Sequence, residues 1–96
     1  MPLMFLIPGA LRELAGGREE VRVDATARSV RDALGLLWRE CPALRDRVIT
    51  ELGEVRQHVN VFVDGESIRE LRGLDSPVQE SSEIVLLPAI SGGTDR

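Results

Sequence analysis

This sequence predicts an α+β domain, a mixed sheet of four to five strands packed on one main helix. Three observations carry that expectation. Runs with strand character stand at residues 3–8, 19–24, 59–63 and 84–87. A single continuous helical face lies between the second and third of them. An Asp64-Gly65 pair follows residues 59–63, and Asp-Gly between extended runs is a strong short-range hairpin signal, since a type I′ turn wants φ > 0 at both central positions.

Residues 3–8 (Leu-Met-Phe-Leu-Ile-Pro) form an uninterrupted apolar run closed by Pro8-Gly9, which reads as a strand buried on both faces. Leu11 and Leu14 follow, then a Gly16-Gly17 turn. Residues 19–24 alternate, with Val21 and Val23 on one face and charges on the other, the pattern of a half-exposed strand. The two runs are expected to form a first hairpin.

Val30, Ala33, Leu34, Leu37, Trp38 and Cys41 then fall on one helical face. Ser29 is placed to cap that helix, with Asp32 three residues on, and Pro42 is expected to end it. Gly35 weakens it by about 1 kcal/mol relative to alanine. A second helical stretch is expected over 44–52, from Leu44, Val48 and Leu52 at spacings of four, closed by Gly53.

After the strand at 59–63 and the Asp-Gly turn, residues 66–70 are expected to return as a short polar strand. Residues 71–79 hold Gly73, Asp75 and Pro77 and read as loop. Residues 80–83 are a polar turn into the last strand, 84–87, which Pro88 stops because proline has no N–H for a sheet ladder. The order is β-β-α-β-β-β. If the last strand lies beside the first and parallel to it, the sheet is a β-grasp sheet with the helix across one face. Residues 1–88 would form that domain, and 89–96 a flexible tail.

Composition narrows the function. Hydrophobic residues make up 43% of the 96, enough for one real core and too little chain for two domains. The net charge is −4, and the twelve basic residues are all arginine, with no run or stripe among them. Phosphate recognition needs clustered cations, so nucleic acid is not an expected partner. With no lysine, the chain offers no side chain for an isopeptide bond.

One cysteine, Cys41, cannot close an internal disulfide, which fits a reducing cytoplasm. No run reaches membrane-spanning length, and no signal-peptide order opens the chain. One histidine, His58, cannot make a metal cluster, and no phosphate-cradling, Cys-x-x-Cys or His-Glu-x-x-His motif is present. No metal, bound cofactor or catalytic residue is therefore expected. Cys41 and Trp38 extend the apolar helix face and read as core. Glu13, Glu19 and Glu20 read as a solvated face.

The tail holds the remaining signal. Ser91, Gly92 and Gly93 have almost no side chain, so they suit a backbone that must pass through a narrow space. The plain alternative is a frayed terminus.

Three stretches in this order resemble one family. They are Ile7-Pro8-x-x-Leu11-Arg12 followed by Gly16-Gly17, the strand-turn Val59-Asn60-Val61-Phe62-Val63-Asp64-Gly65, and the ending Leu86-Leu87-Pro88-Ala89-Ile90-Ser91-Gly92-Gly93. From Leu3 to Gly93 the chain resembles the MoaD/ThiS sulfur-carrier proteins, ubiquitin-like β-grasp domains. Its front half looks most like the actinobacterial carriers used to make cysteine.

The resemblance implies a protein cosubstrate, not an enzyme. An E1-like adenylyltransferase would activate the carboxyl of Gly93 with ATP. A sulfur donor or sulfurtransferase would then displace AMP, leaving a thiocarboxylate for an acceptor synthase. Gly92 would allow passage into the active site. Phe62, Leu86 and Leu87 would lie on the sheet that docks on partners, although alternate residues of those strands must face the core. Thr94-Asp95-Arg96 follow Gly93 here, so a JAMM-type protease would first have to remove them. A lysine-directed protein modifier and a non-catalytic interaction module are the competing expectations. Among carriers, cysteine, molybdopterin, thiazole and other sulfur products all stay open.

Overall fold

The computed structural model describes residues 2–88. Five strands form one sheet in the order β2-β1-β5-β3-β4. They are β1 (Leu3–Leu6), β2 (Glu20–Val23), β3 (Val59–Val63), β4 (Glu66–Ser67) and β5 (Glu83–Pro88). Two helices, α1 (Val30–Glu40) and α2 (Pro42–Val48), lie between β2 and β3 in the chain. β1 pairs antiparallel with β2 and parallel with β5, and β3 pairs antiparallel with both β5 and β4. This is the β-grasp arrangement, with the last strand at the centre of the sheet.

The elements form where local chemistry favours them. Ser29 caps α1: its Oγ accepts the Asp32 N–H at 3.2 Å. Val30, Ala33, Leu34 and Leu37 of that helix are buried against Leu3, Phe5, Val21, Val61, Ile84 and Leu86 in one cluster. Asp64 and Gly65 have φ of 51° and 89°, as a type I′ turn requires. The Asp64 carboxylate also ties the start of β5 in place. It accepts from Ser82 Oγ at 2.7 Å and from the Glu83 N–H at 3.0 Å.

Several expectations are corrected. Pro42 does more than end α1, for it opens α2 at the first helical turn, where its missing N–H is no loss. α2 stops at Val48, not Leu52. There the Thr50 hydroxyl accepts the N–H groups of Leu52 and Glu54, the chain turns at Gly53, and Leu52 is left 85% exposed. The return strand is only two residues long, because the Ser67 side chain accepts the Arg69 N–H and starts a 3-10 turn, Ile68–Glu70. That turn puts Ile68 into the core.

The 71–79 loop holds another 3-10 turn, Gly73–Asp75, and joins the N-terminus of α1 through the hydrogen bond from Val30 N–H to Ser76 O at 3.0 Å. Residues 9–15, given no element by the pattern, form a longer 3-10 segment that buries Leu11 and Ala15. Finally, β1 is not buried on both faces: Leu3 and Phe5 are buried, but Met4 and Leu6 are half-exposed.

Candidate functional site

Directly opposite residues in neighbouring strands share a face, so the register decides which side chains meet. On the helix side stand Phe5, Val21, Val61, Ile84 and Leu86, all buried. On the other side, Leu6 lies beside Val85 and Val85 beside Phe62, in one row across β1, β5 and β3. Glu20 flanks the row on β2 and Ser67 on β4. Met4 lies next to it on β1, and Leu87, 41% exposed, lies further along β5 opposite Asn60. No helix covers this apolar stripe among the described residues, since α1 and α2 both belong to the core side. An open apolar stripe with polar flanks is the mark of a protein-docking surface.

The tail-bearing end of β5 is held firmly. β5 is the central strand, paired with β1 as far as Val85 and with β3 as far as Pro88, whose partner is Val59. Because β1 runs parallel to it, the Pro8-Gly9 bend sits at the same edge of the sheet. A Cβ on Gly9 would lie 4.0 Å from the Pro88 ring, and its φ of +69° itself calls for glycine. Arg69 braces the other side. It donates to Asn60 Oδ1 and to the carbonyls of Arg56 and Gln57, fixing the chain that leads into β3.

The residues expected at the site divide as follows. Phe62 and Leu87 are on the outer face. Leu86 is not, since it is fully buried and packs under the sheet, so its expected docking role is withdrawn. The two-residue period of a strand forbids Leu86 and Leu87 to face the same way. Gly92 and Gly93 lie outside the described residues. Sequence reasoning missed Met4, Leu6 and Val85. A usable signal existed: once the first hairpin is assumed, polar Glu20 and Arg22 mark the outer face, and their partners Leu6 and Met4 must share it.

Other candidates stay structural. Cys41 is 3% exposed, and its Sγ sits 3.2 Å from an Arg18 guanidinium nitrogen. Trp38 packs half-buried against the core, while His58, Glu13, Glu19 and Glu20 are exposed. No group of three His, Cys, Asp or Glu among the described residues could hold a metal ion. No described helix is long and apolar enough to cross a membrane. A hollow of about 520 Å³ opens near Ile68, Arg72 and Leu74, but it is floored by inner-face Val59 and Val61, away from the stripe.

The geometry thus defines a class: a β-grasp domain with an open apolar face, whose central, last strand is followed in the sequence by a Gly-Gly pair. The ThiS family profile matches residues 5–93, and the chain belongs to this family of ubiquitin-like sulfur carriers. It is 39% identical over 84 residues to small archaeal modifier protein 1 of Haloferax volcanii, covering 86% of this chain and 91% of that one. The crystal structure of that relative superposes with a TM-score of 0.82 over 97% of this chain and all of that one. The sulfur carrier protein CysO of Mycobacterium tuberculosis is 27% identical over 99 residues, 97% of this chain and 100% of that one. A chain of the Amycolatopsis orientalis BexX/CysO complex matches with a TM-score of 0.84 at 26% identity, covering 95% and 99%.

Proposed function

We propose that this protein is a sulfur carrier that works as a cosubstrate, with the carboxyl of Gly93 as its reacting group. The observation that carries the reading is the placement of β5. Its inner residues anchor it in the core, its outer residues join the apolar stripe, and it ends at Pro88, four residues before Gly92 in the sequence.

The chemistry belongs to partner enzymes. A carboxylate is a poor electrophile. In an E1-like enzyme a Gly93 carboxylate oxygen would attack the α-phosphorus of ATP and release pyrophosphate. Hydrosulfide from a sulfur donor would then attack the carbonyl carbon, forming C–S while the C–O bond to AMP breaks and the S–H proton is lost. The resulting thiocarboxylate would pass its sulfur to an acceptor synthase. Because Thr94-Asp95-Arg96 follow Gly93, this route requires hydrolysis of the peptide bond after Gly93, and a JAMM-type protease suits the cleavage. The setting is the cytoplasm, and no resident cofactor takes part. The domain's contribution is positional: a rigid strand, a docking face and a narrow glycine terminus.

A second reading is specifically favoured by the relative named as a modifier, which shares 39% identity. The same activated carboxyl can acylate lysine amines of other proteins. Intact mass of the protein isolated from its own host separates the cases. A species ending at Gly93 with one oxygen replaced by sulfur supports the carrier. Tail-dependent adducts of higher mass support the modifier. A population made only of the chain ending at Arg96 would count against both. Gly93→Ala is expected to abolish activation with the unfolding midpoint unchanged, because all five strands are complete by Pro88.

A further inference from the structure

We infer that the shallow groove at the foot of β5 docks an acidic protein rim, belonging to the enzyme that takes the tail. The inference rests on the tail-activation reading above and adds the chemistry of the partner's surface. The groove has an apolar floor of Leu11, Val59 and Pro88 and a margin that carries the guanidinium groups of Arg47 and Arg56. It lies at the Val59–Pro88 end of the sheet, on the core side and apart from the Leu6–Val85–Phe62 row, where β5 ends.

Two observations commit the occupant. The first is reach. Gly93 is five residues beyond Pro88, and at no more than about 3.5 Å per residue its carbonyl is within about 17 Å of the groove wall. An enzyme channel that takes in the whole segment after Pro88 has its mouth at Pro88, beside the groove.

The second is charge. The protein carries −4 overall, yet this spot is positive. Its one carboxylate, Asp46, is already engaged by Arg45 at 3.3 Å. Arg47 has no carboxylate within 4.0 Å among the described residues. Arg56 spends its Nε–H on the Asp46 backbone carbonyl at 2.7 Å, which holds the arginine at the rim without neutralising it. Two guanidinium groups on different elements, over an apolar floor, match acidic side chains set around an apolar contact.

The test uses the chain ending at Gly93 and the E1-like activating enzyme of the same host, read by ATP–pyrophosphate exchange. Arg47→Glu is expected to raise KM for the chain about fivefold, and Arg47→Glu with Arg56→Glu about tenfold or more, with kcat kept. Added salt should raise the KM of the unaltered chain and change that of the double variant little. Arg47→Glu carries the test even if the double variant is unstable, because the Arg47 side chain makes no hydrogen bond among the described residues. An unchanged KM for Arg47→Glu at low salt overturns the inference and leaves the carrier reading standing. Self-association of the chain that Arg47→Glu abolishes would make a second copy the occupant, which overturns it too. No exchange with the unaltered chain would take down both.

Discussion

Leu86 and Leu87 are the same side chain one residue apart, and the pleat sends them in opposite directions. Leu86 is wholly buried, whereas Leu87 is 41% exposed beside the outer apolar stripe. Leu86→Ala leaves a cavity in a close-packed core and is expected to cost about 2–5 kcal/mol, read by urea unfolding. Leu87→Ala is expected to stay within about 0.5–1 kcal/mol on the same measurement, because the truncated side chain lies at the surface, 41% exposed, and leaves no buried cavity. Equal losses at the two positions would mean that the register of β5 is not the one described. Asp64 adds another lesson at this scale. It supplies the left-handed turn with φ of 51°, and its carboxylate also binds the first residues of β5. One side chain therefore closes the β3–β4 hairpin and sets where the tail-bearing strand begins.

At the scale of elements, the central issue is what β1, β5 and β3 present together. Val85 is the middle of the outer row, between Leu6 and Phe62. Val85→Glu places a charge in the stripe without touching the core face. It is expected to lose about 1 kcal/mol or less of stability while weakening the complex with the activating enzyme at least tenfold, measured by titration calorimetry. Retained affinity would mean that partners dock elsewhere. The same row explains why β1 misleads when read alone. An unbroken apolar run is what a strand covered on both faces looks like, and here one cover is the core while the other face lies open on the domain alone. The helices repeat the point. Periodicity located α1 and its Ser29 cap, but α2 ended at Val48 because Thr50 and Gly53 supply a better-satisfied turn than another helical turn would.

For the whole molecule, twelve arginines and no lysine have a chemical consequence. A Gly93 carboxyl, if activated as proposed, would find no side-chain amine on a second copy, since guanidinium stays protonated. The one thiol, Cys41, is buried beneath Arg18. If the chain acts as a modifier, copies cannot be linked to one another through side chains. Leu52→Lys, at a position 85% exposed, is expected to create self-adducts visible on denaturing gels when the chain ending at Gly93 is incubated with ATP and the activating enzyme. Adducts of equal amount from the unaltered chain would refute this.

Much of the molecule was legible in its residues. The first hairpin, α1 with its cap, the Asp64-Gly65 turn and the apolar last strand followed from local periodicity and turn chemistry, which act over a few neighbouring positions. Those elements, in that order, were enough for a β-grasp sheet, and the three family-like stretches together pointed to the sulfur-carrier family that the profile match shows. What local chemistry could not settle was which face of each strand met the helices. That depends on pairings such as Leu6 with Val85 and Val85 with Phe62, between residues far apart in the chain. The same holds for the groove at Pro88, whose arginines come from α2 and from the segment before β3. Folding alone brought them to the foot of β5, because only a completed sheet puts the start of β3 beside the end of the last strand.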